Sequence, residues 1–156
     1  MSVSARLSEL GIELPAVAAP VAAYVPAVVH GDLVYTSGQL PMVSGALPAT
    51  GKVGEGHGLV PASDAQDYAR QCALNAIAAA AAAVGGVDNL TRVIKVVGFV
   101  SSVPEFTGQP GVINGASLIL GEIFGDAGIH ARSAVGVASL PLDAPVEVEV
   151  VFSHSA

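Results

Sequence analysis

The stretch Arg92–Ser101, RVIKVVGFVS, is β-branched or apolar at nearly every position and reads as a sheet strand covered on both faces. A long helix precedes it. Ser63-Asp64-Ala65-Gln66 matches a capping box, Asp64 and Asp67 lie where the helix dipole favours negative charge, and Gly85-Gly86 ends the helix. Asp64, Asp67, Gln71 and Asn75 draw one polar stripe, opposite a buried side holding Tyr68, Cys72, Ala76 and Ala79. The alanine run Ala78–Ala83 combines high helix propensity with close approach to a sheet.

Downstream, Pro104 breaks the strand and Pro110 precedes a second helix near Gly111–Phe124. Two further strands, Arg132–Ser139 and Pro145–Phe152, are joined by Leu140-Pro141-Leu142-Asp143-Ala144. Upstream, Tyr24–Val29 and Leu33–Ser37 read as a hairpin turning at His30-Gly31-Asp32. Met42–Pro61 is a loop rich in Gly, Pro and Ser, with room for one short strand around Lys52–Val53. At the N-terminus, Ser4 caps a short helix over Ala5–Leu10 that Gly11 stops, and Pro15 and Pro20 mark an extended arm. Residues 1–20 are thus a short helix and arm on a single domain spanning 1–156. The order strand-strand-helix-strand-helix-strand-strand is that of an α+β sheet with two main helices on one face.

Composition narrows the function. With 52% apolar and 12% charged residues, the chain is neither a disordered tail nor a solvated linker. Its apolar mass is mostly Ala and Val, and so aliphatic a surface points to burial against other subunits. Net charge is −7, and the six basic residues, Arg6, Lys52, Arg70, Arg92, Lys95 and Arg132, form no cluster, which disfavours a nucleic-acid partner. The uncharged stretches Leu14–Gly31 and Leu33–Gly51 are broken by prolines and glycines, so no membrane span is expected. Arg6, Glu9 and Glu13 stand where a signal peptide needs an apolar run, and the single Cys72 excludes an intrachain disulfide and disfavours a zinc site. A cytoplasmic location is the expectation.

Familiar catalytic signatures are missing: GKVGEG at 51–56 lacks the strand and helix of a dinucleotide site, and there is no G-x-S-x-G elbow. His30, His57, His130 and His154 show no paired metal spacing and read as surface histidines; Cys72 reads as core. Two charged positions stand out. Arg132 opens a strand where Ala134, Gly136 and Ala138 share its face, leaving room for something flat and anionic beside a guanidinium fork. Glu147 and Glu149 lie on one face of the last strand, opposite Val146, Val148, Val150 and Phe152. The plainer readings are a solvent-facing Glu pair and a salt bridge for Arg132. If the last two strands form a simple hairpin pairing Ser139 with Val146, Arg132 and Glu147 share a side but stand roughly 20 Å apart. One small molecule then touches both only if the site joins two subunits.

Tyr24-Val25, Gly31-Asp32-Leu33-Val34-Tyr35-Thr36-Ser37-Gly38-Gln39-Leu40-Pro41, Ala131-Arg132-Ser133, Leu140-Pro141 and Val146-Glu147-Val148-Glu149, in that order, resemble the RidA/YjgF family of reactive intermediate deaminases. The resemblance covers about Tyr24 to Phe152. It implies a chorismate-mutase-like α+β fold, a homotrimer with clefts between subunits, and hydrolysis of enamine/imine intermediates such as 2-aminoacrylate to a 2-keto acid and ammonia. Arg132 then matches the arginine that clamps the substrate carboxylate and Glu147 the acid that holds the attacking water. Gly38 matches the backbone donor, with Ser37 beside it, and Tyr24 and Asn114 match cleft-lining positions. No cofactor or metal is called for, because an imine carbon is already electrophilic.

The chain departs from the family pattern at Ala134, where a cysteine is usual, and at Gly136, where an acid is frequent. Both changes widen the cleft for a substrate bulkier than 2-aminoacrylate. The loop Met42–Pro61 is also longer than usual. The alternative function is a non-catalytic trimeric binder or sensor of small carboxylates. Endoribonuclease activity, a label that family members carry, conflicts with the acidic balance. Chorismate mutase activity would ask for more cations than Arg132 alone.

Overall fold

The computed structural model describes residues 1–17 and 23–155, so Pro20 of the expected arm lies outside them. Five strands form one mixed sheet: β1 (Ala27–His30), β2 (Leu33–Thr36), β3 (Leu90–Ser101), β4 (Ala131–Val137) and β5 (Val146–His154), in spatial order β1-β2-β5-β3-β4. Helices α1 (Val3–Glu9), α2 (Ala62–Val84) and α3 (Gln109–Phe124) complete the α+β architecture. The two long helices cover one sheet face. That face is built from alternate residues: Val146, Val148, Val150 and Phe152 of β5, with Val96 and Val100 of β3, are all buried. Against them lie Cys72, Ala73, Ala76, Ile77 and Ala80 of α2 and Ile113, Ala116 and Leu120 of α3. Each fully buried large side chain, such as Ile77, Ile113 or Phe152, contributes about 1.5–3 kcal/mol over leaving it in water.

The last two strands are not a hairpin. β5 inserts between β2 and β3, and β4 runs parallel to β3 at the sheet edge, with Arg132 beside Val96. Glu147 lies opposite Phe99. Alternation assigns a strand's faces but not its neighbours. Here α3 forms the crossover of a parallel β3–α3–β4 unit, and the Pro141–Asp143 turn carries the chain over the end of β3. Leu142 and Asp143 both adopt φ of 58° in that turn.

Other boundaries move for local reasons. Ser63 does not cap α2: the cap position is Pro61, which makes no side-chain bond, and Ser63 lies in the first turn. Ser2, not Ser4, caps α1, accepting the Ala5 N–H. Ser4 instead gives its N–H and hydroxyl to the Asp88 carboxylate, at 2.7 and 2.6 Å. In place of a strand at Lys52–Val53 there are isolated bridges from Val53 to Val60 and Ser102. β3, read as covered on both faces, has only its helix side covered within this chain. On the other face Val28, Tyr35 and Val135 are 53%, 45% and 45% exposed, and Lys95, Val97 and Phe99 are half-buried.

α3 reaches the sheet closely because Gly98 has no side chain. A Cβ there would lie 2.4 Å from Ile113 Cδ1. That approach, over a residue paired with Ala134, puts α3 alongside the edge strand that carries Arg132.

Candidate active site

Two separate groups of the expected residues emerge. The first lies where β2 leaves the sheet. Tyr35 pairs with Val151, and the next contact is Gln39 with Val148, so four steps on one strand oppose three on the other: a β-bulge. Each residue of the motif Thr36-Ser37-Gly38-Gln39 has a separate part in it. The Thr36 hydroxyl accepts the Val150 N–H at 3.0 Å. The Ser37 hydroxyl donates to the Val25 carbonyl at 2.6 Å, and its N–H donates to Pro26 at 2.8 Å, tying down the segment behind Tyr24. Gln39 exchanges both backbone bonds with Val148, at 2.8 and 3.0 Å.

Gly38 is pressed against Glu147. A Cβ at residue 38 would fall 2.1 Å from Glu147 Oε1, so the glycine is needed for close approach. Among the described residues, neither the Gly38 N–H nor the Glu147 carboxylate makes a hydrogen bond. Burial, and then the like charge of Glu149, hold the Glu147 carboxyl above the ordinary carboxylate range. Cys72 lies buried in the core, its thiol pushed up by burial first and by Glu147 second. That is a packing cysteine rather than an activated one.

The second group lies on the edge strand. Arg132 Nη1 donates to Asn114 Oδ1 at 2.8 Å and to Ser117 Oγ at 3.2 Å, and Nη2 donates to the Pro110 carbonyl at 3.3 Å. All three acceptors belong to α3, and Asn114 and Ser117 share a face by their i, i+3 spacing. Among the described residues the only ion pair joins Arg6 to Glu9, so Arg132 has no carboxylate partner. Among the described residues no bond is made by Nε–H or by the second Nη2 hydrogen, which leaves two guanidinium donors for a carboxylate. Ala134 and Gly136 follow on the same face.

Thus Ser37, Gly38 and Glu147 gather at one place, with Tyr24 next in the chain to the Val25 that Ser37 holds, and Arg132, Asn114 and Ala134 gather at another. Arg132 and Glu147 do not share a face, contrary to the hairpin reading: Arg132 pairs with Val96 on the helix side, Glu147 with Phe99 on the open side. Three ladder steps and two strands separate their backbones by roughly 14 Å.

Three further residues escaped the sequence reading. Asn75 gives its amide hydrogens to the Leu40 and Met42 carbonyls, at 3.0 and 3.1 Å, and so holds the segment after Gly38. Its place on the polar stripe of α2 was the available signal. Ser117 and His130 join the Arg132 group: His130 Nε2 lies 2.9 Å from Ser117 Oγ, so this histidine is not a free surface residue. One turn from Asn114, and two residues before Arg132, were the spacings that pointed to them. Among the described residues no cluster of His, Cys, Asp and Glu suits a metal ion, and no helix is long and apolar enough to cross a membrane.

Comparison with known proteins matches residues 4–153 to a family described as "YjgF/chorismate_mutase-like, putative endoribonuclease". "Protein TCP17" of Trypanosoma cruzi is 45% identical over 152 residues, which cover 96% of this chain and 92% of that protein. The crystal structure of Atu1372 from Agrobacterium tumefaciens, of unknown function, superposes with a TM-score of 0.88 at 46% identity, covering 99% of this chain and 94% of that one. Escherichia coli TdcF, solved with bound serine, superposes with a TM-score of 0.61 at 28% identity, covering 90% and 93%.

Proposed function

The chain belongs to the YjgF/RidA family, and from that premise we propose that it hydrolyses reactive 2-imino acids to 2-keto acids and ammonia in clefts between the subunits of a homotrimer. The observation that carries the reading is the complementarity of the two groups. Arg132 has donors without an anion, and Glu147 is a carboxylate without a donor. They lie on opposite faces of one sheet, so a small substrate meets both only where protomers abut. The exposed Val28, Tyr35 and Val135 on the open face are the apolar surface that such neighbours would cover. TdcF, whose structure superposes on this chain, is solved with bound serine, a small α-amino carboxylate.

In this mechanism the Nε/Nη2 edge of Arg132 grips the substrate carboxylate, and the Gly38 N–H of the adjacent protomer supplies a further donor. Glu147 accepts a proton from water as the water oxygen bonds to the imine carbon. That proton passes to nitrogen to give a carbinolamine. Glu147 then takes the carbinol hydroxyl proton and delivers it to nitrogen as the C–N bond breaks, so ammonia leaves and the hydroxyl oxygen becomes the keto oxygen. A carboxyl raised above its ordinary range is a better base for this step than a free glutamate. Tyr24 and Asn114 line the cleft, and Ala134 with Gly136 makes room for a side chain larger than that of 2-aminoacrylate. With 13 acidic against six basic residues, phosphate-backbone binding is poorly served.

The test couples an amino-acid oxidase to this protein in the presence of semicarbazide, across several amino acids. Deamination diverts imine from semicarbazone to keto acid. Absence of competition with every imine, together with keto-acid binding, would replace the enzyme with a carboxylate-binding protein.

A further inference from the structure

We infer that Ser117 and His130 are positioning residues that set the orientation of the Arg132 guanidinium; this rests on the carboxylate-gripping role of Arg132 proposed above. The hydrogen bonds run in one direction. His130 Nδ1 lies 2.6 Å from the Gly128 carbonyl, which only accepts, so Nδ1 carries the proton. In the neutral ring Nε2 is then an acceptor, and its neighbour at 2.9 Å is the Ser117 hydroxyl. Ser117 therefore turns its hydrogen to the histidine and its lone pairs to Arg132 Nη1, at 3.2 Å. A serine without the histidine would be free to rotate its O–H toward the guanidinium and lose that bond.

The anchor of this chain is built in. Gly128 ends the short turn Gly125–Gly128 and lies against α3, where a Cβ would come within 2.5 Å of the Leu120 carbonyl. The carbonyl that orients His130 is thus fixed to the same helix that carries Ser117 and Asn114. With both Nη1 hydrogens engaged on Asn114 and Ser117, rotation about the guanidinium bond is blocked. The unbonded Nε–H and Nη2 donors are thereby held in one orientation. Preorganising a bidentate edge in this way favours a planar carboxylate over a neutral amide.

The experiment uses the full chain, with His130→Phe, His130→Gln, Ser117→Ala and Ser117→Thr, and two readouts. In the free protein, NMR of the labelled arginine side chain measures Arg132 guanidinium rotation, and ring nitrogen shifts report the His130 tautomer. In titrations, 2-oxobutanoate is compared with 2-oxobutanamide. The expected result is faster rotation in His130→Phe and Ser117→Ala, with keto-acid affinity lower by about tenfold and amide affinity unchanged. His130→Gln and Ser117→Thr, which restore an acceptor or a hydroxyl, recover most of both. Unchanged rotation in His130→Phe, an Nε2-protonated ring, or equal losses for acid and amide would overturn the inference. A wild-type protein that binds no keto acid while its variants still loosen Arg132 would refute the carboxylate site and leave the positioning role standing.

Discussion

The Glu147 group and the Arg132 group solve opposite problems. Around Glu147 the backbone does the work: a bulge, an uncapped amide and a glycine leave a carboxylate partly desolvated and without a donor. Around Arg132 side chains do it, and three acceptors from α3 hold the cation without neutralising it. One group is short of donors and the other is short of an anion. In the proposed trimer, each of these two places completes the other across the seam between copies.

The largest expected effect breaks one group at a time. Glu147→Gln should lower kcat by about 10²- to 10⁴-fold while keto-acid binding persists, because only the proton acceptor is lost. Arg132→Ala should instead abolish keto-acid binding. Mixing the two inactive variants after unfolding and refolding should restore activity in roughly a quarter of the clefts of a cyclic trimer, read by the semicarbazide assay. No recovery would place both groups in the same subunit's site.

Next in size, Gly38→Ala should displace the Glu147 carboxylate and reduce kcat/KM by about 10²-fold. Its thermal midpoint should barely move, since Gly38 does not occupy the left-handed region and the clash is with a flexible side-chain end. Asn75→Ala, which frees the Leu40 and Met42 carbonyls, should cost about 1–3 kcal/mol in denaturant unfolding. The smallest effect is on pH dependence. Because the folded state binds the Glu147 proton more tightly than the unfolded chain, stability should fall as pH rises from the ordinary carboxyl value through the raised one. Glu147→Gln should remove that fall, so that at neutral pH the variant unfolds at a slightly higher denaturant concentration than the wild type.

Much of this was readable in the chain. Period-two alternation assigned Val146, Val148, Val150 and Phe152 to one face, and all four are buried. Gly85 ends α2 with φ of 82°, as its pairing with Gly86 suggested. The sheet order was not readable, because alternation carries no record of which strand lies alongside. Placing β5 between β2 and β3 depends on α3 taking β4 to the edge. The residue types around Arg132 were visible, but their linkage was not. Ser117 and His130 each look ordinary alone and matter only once a helix and a strand that lie far apart in the chain are brought side by side.

The break in the ladder between Tyr35 and Gln39 also makes the protein its own occupancy sensor. In deuterated water the Gly38 amide should exchange orders of magnitude faster than the Val148 and Val150 amides across the bulge, which are hydrogen-bonded. A ligand oxygen seated there would slow that single site and leave its protected neighbours unchanged, so a one-residue kinetic isotope readout could rank candidate metabolites before any turnover is measured.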